Sequence, residues 1–156
     1  MTTSEVSRIV VLSRHTFDGE PWYGTALCKL LTGVTAEQAA ACPIADGHSV
    51  WQQVLHAIGW RKVAIGFLNG EKATKLSDEE NWPQLPAISE AAWKQTLDEL
   101  AQTQIALEEA AGRLTDERLF AKEPDKPFSI YRWLHGVIQH DAYHAGQIAL
   151  LKKAMS

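Results

Sequence analysis

The chain has 156 residues, and 46% of them are hydrophobic. This length and apolar content suit a single globular domain with one core, which we expect to span residues 1–156. The formal net charge is −4, and the charged residues are spread along the chain without a basic stripe, which excludes nucleic acid and an anionic membrane surface as expected partners.

The N-terminal part of the chain predicts short helices separated by turns. Apolar residues recur at helical intervals over residues 6–17. The run DGEP at residues 18–21 interrupts this pattern, which resumes over 22–31. Residues 35–38 have the form of a capping box, which indicates a further short turn that ends at Pro43.

Residues 50–68 predict a long helix that is buried on two sides. Its start is expected between residues 46 and 49. The spacing of the apolar residues is helical, but they fill two stripes instead of one. The first stripe contains Trp51, Val54, Leu55, Ile58 and Ile65, and the second contains His56, Trp60, Val63 and Phe67. A helix with two apolar sides is expected to pack against partners on both.

The second half of the chain predicts two more long helices and two loops. Residues 69–86 contain a glycine, a run of three acidic residues and two prolines, which indicates a surface loop that could cover one mouth of a bundle. Ser89 is expected to cap a helix that ends near Leu114. A second loop follows over 115–127, and the last helix covers 128–154. Since no segment shows strand alternation, we expect an all-α fold with four principal helices in a bundle and short extra N-terminal helices.

Cysteine content and hydropathy predict a reduced, cytoplasmic protein. Cys28 and Cys42 are the only cysteines, and two thiols do not form the disulfide framework of a small secreted domain. The apolar run 9–12 is too short for a signal or spanning helix, and no later run reaches spanning length. We therefore expect two free thiols and no membrane partner.

His140 and His144 lie one turn apart in the predicted last helix. At this spacing two Cβ atoms are roughly 5–6 Å apart on one face, so both imidazoles can reach one ion at about 2.1 Å. Both residues share a helical stripe with the core residues Trp133, Val137 and Leu151. The spacing alone is not specific, and two core histidines that are satisfied by ordinary acceptors stay open as the alternative.

His56 adds a third imidazole from a different helix, where it lies among apolar residues. Three neutral imidazoles without a thiolate leave positions for water or substrate, which is typical of a catalytic or ligand-binding metal. Zinc or nickel suits these ligands best, whereas iron, manganese and copper stay open. The sequence therefore predicts a divalent metal site formed by His56, His140 and His144.

The other histidines are expected not to bind this metal. His48 lies near the start of the helix that carries His56, and His135 is rotated away from the stripe of the other two. His15 precedes a turn and is interpreted as a surface residue. The candidates for orienting the imidazoles or a substrate are Asp141, Tyr143 and Gln147.

Two segments carry a resemblance to a known family, WQQVLHAIGW at residues 51–60 and HGVIQHDAYHAGQI at residues 135–148. Together with residues 18–24 and 35–41, they resemble the DinB-like superfamily over most of the chain. The resemblance implies a four-helix bundle, commonly a homodimer, that holds a divalent metal with one histidine of the second principal helix and two of the fourth. The matching positions are His56, His140 and His144.

The resemblance also implies a function. Some relatives transfer a low-molecular-weight thiol to an electrophile or catalyse a thiol-dependent isomerisation. We therefore predict a metal-dependent thiol S-transferase or isomerase that acts on a small electrophile, with a low-molecular-weight thiol as a second cofactor. No cluster of basic residues indicates a pocket for an anionic thiol, since Arg61 and Arg132 are interpreted as solvated.

Two other functions stay open. The pattern His140-Asp141-xx-His144 differs from the zincin pattern by an aspartate in place of a glutamate, so a metal-dependent hydrolase is the first alternative. The shorter carboxylate would have difficulty in reaching a water ligand of the metal. The second alternative is a non-catalytic metal- or ligand-binding bundle, which metal-dependent turnover of a thiol and an electrophile would exclude.

Overall fold

A computed structural model describes residues 4–72, 74–121 and 129–155, and within these ranges the chain forms helices and no strand. The helices are α1 (Glu5–Phe17), α2 (Leu27–Leu31), α3 (Ala36–Ala40), α4 (Val50–Leu68), α5 (Asp78–Asn81), α6 (Glu90–Gly112), α7 (Asp116–Phe120) and α8 (Ile130–Ala154). The predicted all-α fold class is confirmed. None of the helices in these ranges is both long and apolar enough to cross a membrane.

The four long helices, α1, α4, α6 and α8, form a bundle. α4 packs against α6 and α8, and α1 packs against the same two helices. The short helix α2 contacts α8, and α3 contacts α4 and α6. As predicted, α4 has long neighbours on two sides. In the first predicted stripe Trp51 and Ile58 are buried, whereas in the second only His56 is buried and Trp60, Val63 and Phe67 are half-buried.

Side-chain caps set several helix boundaries. The hydroxyl of Ser49 accepts from the backbone N–H of Gln52, whose side chain accepts from the N–H of Ser49, so α4 begins after a capping box. The capping box predicted at residues 35–38 is also present. Ser89 caps α6, as predicted, and the helix ends at Gly112, two residues before the predicted end.

Both predicted loops contain a short helix that the sequence pattern did not indicate. α5 lies within residues 69–86, and α7 lies within 115–127. Helices of four and five residues are too short to show a helical period of apolar residues. Residues 122–128 lie outside the described ranges, and so does the predicted start of the last helix at Phe128.

The core contains two apolar clusters, and the buried residues between them along α8 are polar. Along α8, one cluster ends at Ile138 and the other begins at Ala145. Between these positions the buried residues are Asp141 and His144. On α4, His56 and Arg61 are also buried. The facing sides of α4 and α8 therefore enclose a polar layer between the two apolar clusters.

Candidate metal centre

Three imidazoles meet between α4 and α8, and we call His56, His140 and His144 the histidine cluster. Nε2 of His140 lies 3.0 Å from Nε2 of His56 and 3.0 Å from Nε2 of His144. One ligand atom from each residue lies within 4.8 Å of the other two. Among the described residues this is the group of histidine, cysteine or acidic side chains whose geometry could hold a metal ion. The structure thus brings together the three residues that the sequence predicts as ligands.

Oxygen acceptors fix the outward nitrogens of two of these rings. Nδ1 of His56 donates to the backbone carbonyl of Asn81 at 2.7 Å, and Nδ1 of His144 donates to Oε1 of Gln53. Because a neutral imidazole carries one proton, a protonated Nδ1 leaves a lone pair on Nε2. Both Nε2 lone pairs are therefore available on the side of the ring that faces the cluster.

Burial keeps the cluster neutral. It lowers the pKa of His140 to about 4, and the neighbouring His56 contributes to this shift. It also lowers the pKa of His144 to about 3, with His140 as the next cause. The pKa of His56 is lowered as well, mainly by burial. At neutral pH the three imidazoles are therefore in the uncharged form that binds metals.

The three Nε2 atoms that face one another in the cluster are better placed to bind a cation than to form hydrogen bonds with one another. Nε2 of His140 carries at most one proton, whereas it contacts a lone pair on each of its two neighbours. One proton cannot fully satisfy both contacts. A divalent ion would accept all three lone pairs, and two nitrogens 3.0 Å apart can both lie about 2.1 Å from one ion. The donor set thus fits a metal with coordination positions left open.

The segment between α4 and α6 covers one side of the histidine cluster. The indole of Trp82 is stacked between His48 and His56, with centroid distances of 3.5 and 4.1 Å. Nε1–H of Trp60 donates to Oδ1 of Asn81 at 2.8 Å, which ties this segment to α4. These contacts agree with the expectation that the segment could cover a mouth of the bundle. His48 lies on the far side of Trp82 and outside the cluster.

Asp141, a predicted orienting residue, contacts an arginine instead of an imidazole. Its Oδ2 accepts from Nη2 of Arg61 at 2.6 Å, and each side chain is only 1% exposed. The guanidinium also lies 4.7 Å from the ring centroid of Phe17. The interpretation of Arg61 as solvated is therefore wrong, because α4 directs this residue into the bundle, where a buried carboxylate can pair with it.

The other candidate residues lie at the edge of the cluster or away from it. Tyr143 is exposed, although its ring centroid lies 5.1 Å from that of the adjacent imidazole. Gln147 is half-buried, but the amide that bonds to an imidazole is that of Gln53. His135 and His15 both lie outside the cluster, and His15 is exposed, as predicted.

Sequence reasoning missed Gln53 and Asn81, which hold the two Nδ1 protons. A signal existed for Gln53, since it is a polar residue within the apolar stretch of α4, one turn before His56. No comparable signal existed for Asn81, because it acts through its backbone carbonyl from a segment 25 positions away. Any residue type at this position would present the same backbone oxygen.

Comparison with known proteins gives one family. The family model of the DinB superfamily matches residues 24–148, a range that includes all three residues of the histidine cluster. No curated protein and no solved structure matches the chain significantly. Since the match covers most of the 156 residues, the chain belongs to the DinB superfamily.

Proposed function

We propose that this protein binds one divalent metal through His56, His140 and His144 and uses it as a thiol S-transferase or thiol-dependent isomerase on a small electrophile. The observation that carries the metal site is the convergence of three Nε2 atoms, with 3.0 Å between His140 and each neighbour. Zinc and nickel are the first candidates, because they suit an imidazole donor set. The thiol chemistry is supported by the resemblance to family members that transfer low-molecular-weight thiols.

The residues around the cluster would prepare it for this chemistry. Gln53 and Asn81 retain the Nδ1 protons of two imidazoles, so that their Nε2 lone pairs stay directed at the ion. Trp82 covers one face of His56 and limits the access of water from that side. When bound, a divalent ion supplies positive charge that lowers the pKa of a thiol ligand.

The hydrolase alternative loses support from the position of Asp141. In the zincin pattern the corresponding carboxylate acts as a base beside the metal. Here Asp141 is buried in an ion pair with Arg61, with 2.6 Å between Oδ2 and Nη2. The carboxylate is therefore directed at the guanidinium and not at the histidine cluster, where a base for hydrolysis would have to act. We therefore favour thiol transfer over hydrolysis as the function.

Metal content tests the first half of the proposal. Protein purified without a metal-affinity tag would be analysed by elemental mass spectrometry after incubation with zinc or nickel and removal of free ions. We expect about one equivalent per chain in the wild type and strong loss in His144→Ala. His135→Ala is the matched control, since it removes a histidine of the same helix that lies outside the cluster. No metal in the wild type would contradict the proposed site.

Turnover tests the second half. The metal-loaded protein would be mixed with a panel of low-molecular-weight thiols and an aryl chloride. The expected reaction forms a carbon–sulfur bond and releases chloride, with the thiol proton going to buffer. Product that depends on both metal and His144 supports thiol transfer. Stoichiometric metal without product from any pair would favour the non-catalytic bundle.

The homodimer implied by the resemblance is also part of the proposal. Sedimentation equilibrium of the purified chain would measure it directly, and a mass of one chain at all concentrations would contradict it.

A further inference from the structure

Trp82 is the middle ring of a three-ring stack that ends on one of the proposed metal ligands. Its indole lies between the imidazoles of His48 and His56, with centroid distances of 3.5 and 4.1 Å. The rings are nearly parallel, with interplanar angles of 4° and 8°. An imidazole packed face to face against an indole cannot rotate without a clash, because packed side chains leave little free space. Trp82 therefore restricts the orientation of the His56 ring.

The residue before Trp82 holds the same imidazole at its edge. The backbone carbonyl of Asn81 accepts from Nδ1 of His56 at 2.7 Å. This carbonyl lies at the C-terminal end of α5, where the last carbonyls of a helix have no partner within the helix. We call Asn81 and Trp82 the clip, because one residue holds the edge of His56 and the other holds its face.

Two further side chains hold the clip in place. Nε1–H of Trp60 donates to Oδ1 of Asn81 at 2.8 Å, so α4 anchors the residue whose carbonyl binds His56. His48 packs against the other face of Trp82 and comes directly before the N-cap of α4. Neither of these two side chains belongs to the group whose geometry could hold a metal ion. They therefore contribute to the position of the clip and not to the ligand set.

Gly59 leaves room for α5 beside α4. A Cβ atom at this position would lie 3.2 Å from Cδ1 of Leu76 and 3.7 Å from the backbone oxygen of Glu80. Glycine is unfavourable in the interior of a helix, so the local sequence of α4 does not favour it for stability. Because it lies three residues after His56, the glycine lets the end of α5 approach the helix close to this imidazole.

We infer that His48 and Trp60 are positioning residues of the metal site, which act on His56 through the clip and raise its affinity for a divalent ion. Thermodynamic linkage requires the reverse effect, so a bound ion stabilises the contacts of the clip by the same factor. The effect on metal affinity rests on the proposed function. The hold on the imidazole does not, since its contacts join protein groups alone.

The variant Trp60→Phe tests the anchor of Asn81, since it keeps an aromatic ring but removes the N–H donor. We expect the zinc affinity, measured by competition with a chromophoric chelator, to fall about 3–10-fold. Trp93→Phe is the matched control, because it removes an indole hydrogen bond to the carbonyl of Val34, outside the histidine cluster. Unchanged affinity in Trp60→Phe, or an equal loss in the control, would overturn the role of Trp60.

Two variants of His48 separate stacking from metal binding. His48→Ala removes the outer ring of the stack and should weaken zinc binding about 3–10-fold. His48→Phe should restore the affinity, because a phenyl ring can stack but cannot bind an ion. The visible spectrum of the cobalt-loaded protein, which depends on the ligand set, should be the same in His48→Phe and the wild type. Full affinity in His48→Ala, no rescue by phenylalanine, or a changed spectrum would overturn the role of His48.

Nuclear magnetic resonance of the metal-free protein tests the hold on His56 without the ion. The nitrogen shifts of an imidazole distinguish the form protonated at Nδ1 from the form protonated at Nε2. We expect the Nδ1–H form in the wild type and a larger share of the Nε2–H form in Trp60→Phe. An unchanged share would contradict the step from Trp60 to His56. A protein with the expected tautomer but no affinity for zinc would contradict the proposed function instead, so the two failures differ.

Hydrogen exchange tests the effect of the ion on the clip. The backbone N–H groups of Asn81 and Trp82 donate to the carbonyls of Ser77 and Asp78. Zinc should slow their exchange by about the factor in affinity that is lost when the clip is weakened. The matched control is α7, another short capped helix whose residues lie outside the histidine cluster. No slowing in α5, or equal slowing in α7, would overturn the coupling between the clip and the metal.

Discussion

The histidine cluster and the Arg61–Asp141 pair lie in the same polar layer, and His140 and Asp141 are neighbours in the sequence. In the cluster, the outward nitrogens of His56 and His144 have oxygen partners, while the inward nitrogens face one another. In the pair, two opposite charges neutralise each other at 2.6 Å. One group of buried polar atoms could thus hold an added cation, whereas the charges of the other group balance each other.

This difference explains why adjacent residues on one helix have different roles. Imidazoles tolerate burial by staying neutral, and burial holds the pKa of His144 at about 3. Carboxylates and guanidiniums tolerate burial only when they are paired. We therefore expect that changes to the pair act on folding, whereas changes to the cluster act on metal binding.

The largest effect should follow from breaking the ion pair. Asp141→Asn keeps the shape of the side chain but leaves Arg61 without a counter-charge at 1% exposure, which should reduce the free energy of unfolding by about 3–5 kcal/mol. Urea denaturation of metal-free protein would measure it. Asp98→Asn, which removes the carboxylate of an exposed pair with Lys94, should cost no more than about 0.5 kcal/mol. Similar losses in the two variants would contradict the distinction between the buried and the exposed ion pair.

Metal should stabilise the protein through the cluster alone. Zinc at about 100 times its dissociation constant should add about 2.7 kcal/mol to the free energy of unfolding. For a chain of this size the melting temperature should rise by roughly 5–10 °C. The same addition to His56→Ala should give little or no shift, and an equal shift in that variant would show that zinc binds elsewhere.

A smaller effect should follow from removing the acceptor of His144. Gln53→Ala leaves Nδ1 of this imidazole without its partner, so metal affinity should fall about 10–100-fold while the fold is retained. Competition with a chromophoric chelator would measure the affinity. Gln147→Ala is the matched control, because it removes an amide of α8 that does not bond to the cluster. Unchanged affinity in Gln53→Ala would rule out this positioning role.

The smallest expected effect concerns the reactivity of the Cys28 thiol. Burial, with Asp18 as the next cause, raises the pKa of Cys28 to about 12, and Arg61 offsets this only in part because Asp141 opposes it. A raised thiol pKa means that the unreactive protonated form predominates below about pH 12. Alkylation of Cys28 at pH 8 should therefore be at least about tenfold slower in the folded than in the urea-unfolded protein, and should accelerate with rising pH. Mass spectrometry of Cys42→Ser would isolate this reaction, and equal rates in both states would show that the thiol is not shielded.

The long helices could be predicted from the sequence because their apolar spacing and caps are local properties. Residues 50–68 were predicted as one helix with two apolar sides, and α4 occupies that range with neighbours on both. Ser89 was predicted to cap the next helix and does so. The short helices α5 and α7 were missed, because one turn of helix leaves no periodic signal and is stabilised by its caps and neighbours.

The candidate site was predictable in part. Each histidine lies within an apolar stretch, so the sequence could indicate that all three side chains point inward. Arg61 lies in the same stretch of α4, yet it was interpreted as solvated, because a buried arginine requires a buried carboxylate that the linear pattern does not reveal. Its partner is 80 positions away on α8.

The sequence by itself determined the all-α class, the approximate span of the long helices and the identity of the three histidines, because helix periodicity and inward orientation depend on residues a few positions apart. Only the tertiary structure decided that Asn81, Trp82 and Gln53 orient and cover the imidazoles, and that Asp141 pairs with Arg61 instead of serving the cluster. Apart from the stacking of Trp82, these contacts join single atoms across 25 to 91 positions of chain, and their geometry depends on how α4 and α8 pack. Hydrogen bonds and buried charges depend on distances of a few tenths of an ångström, which no local pattern specifies.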